Sequence, residues 1–193
     1  MKRLICMLLL CAFVLCGCGE QPAEEPQNEL PESIPVVVPI GERTAEGVKV
    51  TIHAGLLGMN TEYLTEEQKA DGFINAVRNE DDSVTYLIDS AKYDAFVEKD
   101  YQRTCKSIDE TVQGNFPSVT GVTYEKDLSA VTLTVMRDTY LYSVDALAVF
   151  AVGTLVITHQ AYDLDAVGGC TITVFDENGE QISQNKYPDE LVL

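Results

Sequence analysis

The chain has 193 residues, of which 31 are acidic and 13 are basic, so its formal net charge is −18 at pH 7. A surface of that sign repels nucleic acid and anionic lipid headgroups, which excludes a nucleic-acid-binding role. It keeps a domain soluble, and it would attract a cationic partner such as a basic peptide, a metal ion or a positively charged wall polymer.

The first 17 residues have the three parts of a secretory signal: a positive start, an apolar run and a small residue before a polar segment. The apolar run, residues 4–15, is shorter than the about 20 residues that span a bilayer. The run "LCGC" at residues 15–18 resembles the lipobox of bacterial lipoproteins. That resemblance implies cleavage before Cys18 and a diacylglycerol on its sulfur. We therefore expect a lipid anchor on the extracytoplasmic face of the cell membrane; a soluble, released protein is the alternative.

Residues 18–43 predict an extended acidic tether. Five of the seven prolines lie between Pro22 and Pro39, together with several glutamates and no basic residue. Such a segment buries too little apolar surface to offset its backbone entropy. Residues 36–38 are a candidate edge strand at its end, although the flanking prolines disfavour it. The remaining residues, 44–193, have the length of one domain.

The predicted domain begins with a strand and a short helix. Apolar and polar residues alternate over residues 48–54, as in a half-buried strand. Thr65 and Gln68 have the spacing of a capping box, which marks the start of a helix. Gly72 would end that helix.

Two hairpins are predicted, with a long helix between them. Each hairpin consists of two runs of strand-forming residues around a short polar turn. Asp89 or Ser90 would cap the helix, whose apolar residues recur at three- and four-residue steps. The hairpins comprise residues 73–78 with 83–88 and residues 119–125 with 130–136; the helical stripe is Tyr93, Phe96, Val97, Tyr101, Cys105, Ile108 and Val112.

The run "ALAVFAVGTLVITHQAY", residues 146–162, has no charged residue and is apolar on nearly every side. As a helix it measures about 25 Å, which is shorter than the about 30 Å hydrocarbon core of a bilayer. We interpret it as a buried central helix, with a transmembrane helix as the alternative. A strand at residues 171–175 and a weak strand around Ile182 follow.

This order of elements predicts an α+β fold. Tight hairpins favour one antiparallel sheet of about five to seven strands, with the long amphipathic helix and the apolar helix packed on one face. Residues 79–110 and the later run "YEKDLSAVTLTV", together with the small-residue-rich helix, resemble a group of small uncharacterised lipoproteins of Gram-positive bacteria. The resemblance implies a lipobox, an acidic linker and one compact α+β domain, and it transfers no catalytic residue.

The sequence predicts no catalytic residue, metal or cofactor. His53 and His159 lack metal-ligand spacing and are interpreted as structural. Asp163 and Asp165 begin like a calcium-binding loop, but later ligand positions are not filled. A nucleophilic Cys105 with His159 as its base would be another arrangement, and nothing in the sequence favours it.

Two cysteines of the predicted domain, Cys105 and Cys170, leave two alternatives open. An exported protein favours a disulfide between them. Cys105 also lies on the apolar stripe of the long helix, where a free thiol packs as a small hydrophobic group.

The expected function is that of a non-enzymatic surface domain that binds an envelope protein or a cationic peptide. An extracytoplasmic hydrolase that acts on wall or peptide material is the alternative, and it requires a cleft with a perturbed carboxylate or histidine. A solute-capturing protein is disfavoured by the length of the chain. Tyr140 and Tyr142 form either an exposed contact patch or a cover over one end of the core.

Replacement of the predicted anchor residue tests the localisation. We expect Cys18→Ser to abolish acylation and to release the protein from the membrane fraction, because two acyl chains are needed for stable attachment. Mass spectrometry of the mature N-terminus and cell fractionation measure both effects. Cys16→Ser is the matched control and should leave both unchanged; an unmodified thiol on residue 18 of the native protein would contradict the prediction.

Overall fold

Two four-stranded β-sheets form the frame of the fold. The computed structural model describes residues 40–53, residue 56 and residues 63–188, all within one compact unit. The strands of sheet 1 are β1 (Ile40–Thr44), β2 (Gly47–His53), β3 (Phe73–Arg78) and β4 (Ser83–Ile88). Their order is β1-β2-β4-β3, and every pair is antiparallel.

Sheet 2 contains two hairpins joined by a parallel pair of strands. Its strands are β5 (Val119–Tyr124), β6 (Ala130–Val135), β7 (Cys170–Asp176) and β8 (Gln181–Tyr187), in that order. The outer pairs are antiparallel, whereas β6 and β7 are parallel. A parallel pair needs a long crossover, and here the segment between β6 and β7 supplies it.

Helices join the two sheets into one core. They are α1 (Glu66–Ala70), α2 (Ser90–Asn115), α3 (Arg137–Leu141) and α4 (Leu147–Tyr162), with a 3₁₀ turn at Val144–Ala146. α2 and α4 pack against each other. α4 also contacts β2 of sheet 1 and β7 and β8 of sheet 2, while α2 contacts β2 and β5.

Two helix starts have the caps that the sequence predicts. The Thr65 side chain accepts from the Gln68 amide, and the Gln68 side chain accepts from the Thr65 amide, so the capping box at α1 is confirmed. The Asp89 carboxylate accepts from the Ala91 amide at the start of α2. Gly72 follows α1 with a φ of 104°, a left-handed backbone that favours glycine.

α4 is the buried central helix that the sequence predicts. The segment Val144–Tyr162 is long and apolar enough to cross a membrane, yet 56% of its apolar window is buried within the fold. Gly153 lets the helix approach β8, since a β-carbon there would lie 2.7 Å from the Tyr187 ring. Its buried residues pack against α2 and both sheets, whereas Leu147 and Phe150 in its first turns are exposed.

An aromatic cluster joins α2 and the end of α4 to sheet 1. The rings of Phe73 and Phe96 meet edge to face with centroids 4.8 Å apart, and the Tyr162 ring lies 5.3 Å from that of Phe96. The Tyr93 hydroxyl donates to the Tyr162 carbonyl and accepts from the Leu164 amide. These bonds fix the point at which α4 ends.

The α+β class is confirmed, but the predicted single sheet of five to seven strands is wrong. There are eight strands in two sheets, and one pair is parallel. The helices contact both sheets rather than one face of one sheet. Both predicted hairpins are present, so the error lies in how hairpins join, which depends on contacts between distant segments.

Several elements were not predicted. α3 and the 3₁₀ turn occupy the crossover, where the sequence lacks a clear period. β1 includes the last four residues of the predicted tether, Ile40–Arg43, while the rest of the tether and the candidate strand at residues 36–38 lie outside the described residues. Leu128, in the β5–β6 turn, is fully buried.

The close approach of α4 to β8 gives a stability prediction. We expect Gly153→Ala to lower the free energy of unfolding by about 1–3 kcal/mol, because the added methyl overpacks against the Tyr187 ring. Gly114→Ala in α2 is the matched control: no atom lies within 4 Å of the added carbon, and alanine should raise helix stability by about 0.5–1 kcal/mol. Urea denaturation of the full chain measures both, and equal midpoints for the two variants would contradict the packing.

Candidate functional site

A cleft of about 270 Å³ lies where α2, the β5–β6 turn and the end of α4 meet. We call it the acidic cleft because four carboxylates line it against one lysine. α2 and the β5–β6 turn form one side, and the last turn of α4 with the loop after it forms the other. The lining residues are Val97, Glu98, Tyr101, Lys126, Asp127, His159, Gln160, Asp163, Asp165, Ala166 and Val167.

A histidine–aspartate pair lies at the wall of the acidic cleft. His159 on α4 is 5% exposed, and its Nδ1 lies 2.8 Å from Oδ2 of Asp100 on α2. The contact engages Nδ1 of the ring with the Asp100 carboxylate and orients the imidazole at the wall of the cleft.

Two further polar groups line the wall beside this pair. Gln160 is 2% exposed; its Nε2 donates to the Gly169 carbonyl at 3.1 Å, and its Oε1 has no hydrogen-bond partner. The Tyr101 ring lies beside the His159 ring at a tilt of 58°, with centroids 5.8 Å apart. A hydrogen bond to Cys105 and burial raise the pKa of Tyr101 to about 12, so its hydroxyl stays protonated at neutral pH.

The carboxylates of the acidic cleft are held by local hydrogen bonds. The Asp127 carboxylate accepts from the amide and the hydroxyl of Ser129, and these bonds lower its pKa. The Asp163 carboxylate accepts from the Asp165 amide at 2.9 Å. Lys126 is exposed and makes no ion pair within the described part of the chain.

This arrangement can hold or orient a ligand, and the pair resembles the base and its orienting carboxylate in acyl-transfer sites. The lining residues, all within the described ranges, include no serine, threonine or cysteine beside the histidine. Across residues 40–53, 56 and 63–188, no group of three or more His, Cys, Asp or Glu side chains is placed to hold a metal ion.

A second surface feature is apolar and lies at the other end of α4. Tyr142 is 90% exposed, Val144 73% and Leu147 59%. We call this surface the apolar patch; its members are Leu141, Tyr142, Val144, Leu147 and Phe150. Tyr140 is buried, so of the two tyrosines considered from the sequence, one covers the core and the other is exposed.

The apolar patch carries no exposed charge. Asp145 is the one Asp, Glu, Lys or Arg between Thr139 and Tyr162. It turns inward, where its carboxylate accepts from the Ser118 amide at 2.7 Å. The 3₁₀ turn therefore presents only uncharged side chains outward.

The remaining residues considered from the sequence fall elsewhere or outside the described chain. Cys18 lies outside the described residues, and its lipidation stays a prediction. His53 ends β2, opposite Ser83 of β4, and is not among the residues that line the acidic cleft. His159 is the histidine that the fold brings to the cleft, together with Asp163 and Asp165.

Sequence reasoning missed the partner of His159. Asp100 lies 59 positions away, too far for any spacing rule. One signal was available: Asp100 is four residues from both Phe96 and Thr104, which are buried, so it lies on the inward side of α2. A carboxylate on that side needs a polar partner.

The structure has Cys105 and Cys170 as free thiols. Cys105 is half-buried beside Tyr101, whereas Cys170 is buried at the start of β7. Burial raises the pKa of Cys170 to about 12.

Alkylation under native conditions tests this difference. Burial keeps Cys170 protonated as well as inaccessible, so we expect iodoacetamide to modify Cys105 well before Cys170 at pH 8, as measured by mass spectrometry. Urea should expose both residues equally. If neither cysteine is labelled until a reductant is added, the two form a disulfide. Fast labelling of Cys170 under native conditions would contradict its burial.

Comparison with known proteins gives no relative for this chain: no family model, no curated protein and no solved structure matches it.

Proposed function

We propose that this protein is a lipid-anchored, non-enzymatic binding domain at the extracytoplasmic face of the cell membrane, which docks a protein partner through the apolar patch. The observation that carries the proposal is the exposure of five large apolar side chains within ten residues of chain. Soluble domains seldom leave such a cluster uncovered unless it is an interaction surface. Aromatic and aliphatic side chains of this kind form the centre of protein interfaces.

Charge favours a protein partner over a membrane. Membrane-docking faces carry lysine and arginine around an apolar centre. Arg137 begins α3, just before the apolar patch in the chain, and its guanidinium is already paired with Asp176 and Glu180 at 2.9 Å each. Glu177, which accepts from the Arg137 amide, adds to the acidic character of this side.

Charge also argues against a second copy of the chain as the occupant. The proposed cleavage before Cys18 removes Lys2 and Arg3 and takes the net charge from −18 to −20, and the mutual repulsion of two such copies opposes association at low ionic strength. We therefore assign the apolar patch to a different protein of the envelope, with an apolar centre and a basic rim. The predicted tether would leave the domain free to reach such a partner.

A hydrolase remains the alternative, and the His159–Asp100 pair in a cleft is the observation in its favour. A hydrolytic site also needs a nucleophile or an activated water. The described residues that line the acidic cleft supply no evident nucleophile and no group placed to activate a water. Binding through the apolar patch requires only a partner with a complementary surface. The binding role is therefore the better supported of the two.

Site-specific photocrosslinking in intact cells tests the binding role. We expect a benzophenone amino acid at position 142 to form an adduct with one basic envelope protein, detected by mass spectrometry. Position 63 is the matched control, because Tyr63 is also an exposed tyrosine, at 84%, but lies outside the apolar patch. The adduct should disappear when Leu147→Gln is added, and Val77→Gln, an exposed apolar position on β3, should leave it intact.

Three outcomes would contradict the proposal. They are equal adducts from positions 142 and 63, an adduct with a second copy of this chain, and an adduct with lipid alone.

A further inference from the structure

α4 packs against three neighbours and is partly open to solvent on the side that remains. The neighbours are α2, sheet 1 and sheet 2. On the open side, exposed or partly exposed residues recur at steps of three and four, which is the spacing of one helix face. We call this face the α4 stripe; it begins within the apolar patch and runs about 17 Å along the helix. Its members are Leu147, Phe150, Ala151, Thr154, Leu155 and Thr158.

The polar groups of the α4 stripe are used within the helix itself. The Thr154 hydroxyl donates to the Phe150 carbonyl at 2.9 Å, and the Thr158 hydroxyl donates to the Thr154 carbonyl at 2.7 Å. Residues 146–162 also include no Asp, Glu, Lys or Arg. An occupant of the α4 stripe therefore meets no charge, and it receives no hydroxyl donor from these threonines.

This chemistry decides what kind of backbone fits the α4 stripe. An extended segment would bury N–H and C=O groups that the stripe does not pair, at a cost of about 1–3 kcal/mol for each group. A helix pairs these groups within itself. A sheet does so too, but its face needs a broad apolar surface, and α2 beside the stripe is charged on its exposed side. The exposed charged residues of α2 are Lys92, Asp94, Glu98, Lys99, Lys106 and Glu110.

We propose that the α4 stripe docks one helix of the partner protein, with an uncharged contact face and basic flanks. The inference rests on the proposed docking function and specifies the structure of the partner. Leu147 and Phe150 are exposed large side chains, and the stripe continues with smaller residues. The partner helix would place small residues opposite the first turns and large ones farther along, as when ridges pack into grooves. Its basic flanks would complement the net negative charge of this chain.

Crosslinking from the α4 stripe in intact cells tests for a helix. We place a diazirine amino acid singly at positions 147, 151, 154 and 158 of the full chain and map each adduct on the partner by mass spectrometry. The attachment sites should lie in one continuous segment and step by three or four residues, because neighbours along two packed helices recur at that interval. Thr132 of β6 is the matched control position, since it is also a partly exposed threonine, and it should give no adduct with that segment.

Substitutions test the uncharged character of the α4 stripe, with the adduct from position 142 as the readout. Thr154→Val and Thr158→Val remove hydroxyls that donate within the helix, so the adduct should persist within about twofold. Thr154→Arg and Thr158→Arg each bury a charge against an uncharged face and should reduce it at least about tenfold. Thr132→Arg adds the same charge outside α4 and should leave it unchanged. Circular dichroism of each purified variant verifies the fold.

Different results overturn the docking function and the helix. If position 142 gives no adduct, the docking function fails, and this inference fails with it. If position 142 gives an adduct but positions 154 and 158 give none, docking stands and the helix is wrong. The helix is also wrong if the attachment sites step by two residues, as on a strand, or fall in unconnected segments. Loss of the adduct in the valine variants, or its persistence in both arginine variants, overturns the uncharged contact.

Discussion

The packing of α4 against α2 and both sheets is the constraint on which the rest of the structure depends. A helix without a polar face cannot lie on a surface, so both sheets and α2 must cover it. The cover is least complete at the first turns, and residues 151, 154, 155 and 158 farther along the helix are partly exposed. Leu147 and Phe150 emerge at the first turns and contribute to the apolar patch, while His159 and Gln160 reach the acidic cleft in the last turn. The two candidate surfaces are thus about 15 Å apart along one rigid element.

Three of the polar side chains on this apolar crossover have a hydrogen-bond partner from another segment. His159 is paired with Asp100 of α2, and Gln160 bonds to the Gly169 carbonyl before β7. At the other end, the Asp145 carboxylate accepts from the Ser118 amide, which precedes β5. Bonds of this kind cost little when complete and much when broken, so they fix where the crossover begins and ends. The two ends of α4 are held by hydrogen bonds, and its middle by packing.

Local structure was predictable from the sequence, and long-range pairing was not. The capping box at Thr65 and the turn of the β3–β4 hairpin depend on residues a few positions apart, so periodicity and turn chemistry reveal them. The division into two sheets depends on which hairpin meets which, and the parallel pairing of β6 with β7 depends on a crossover of more than thirty residues. The same holds for the candidate site. The sequence indicated that His159 lies on a buried helix, but it did not indicate that Asp100 is its partner. The exposure of Leu147 could not be predicted from the sequence, because a uniformly apolar run does not indicate which face of the helix is exposed to solvent.

β1 is the strand through which the proposed membrane attachment would transmit force to the domain. It is an edge strand, and on the proposed arrangement any tension on the anchor would reach the domain through its five backbone pairs with β2. Arg43 fastens that strand to the body of the protein: it pairs with Asp94 at 3.3 Å, stacks over the Tyr93 ring and lies 3.9 Å from Asp165. Since Asp165 also lines the acidic cleft, Arg43 is the residue at which the first described strand meets the wall of that cleft.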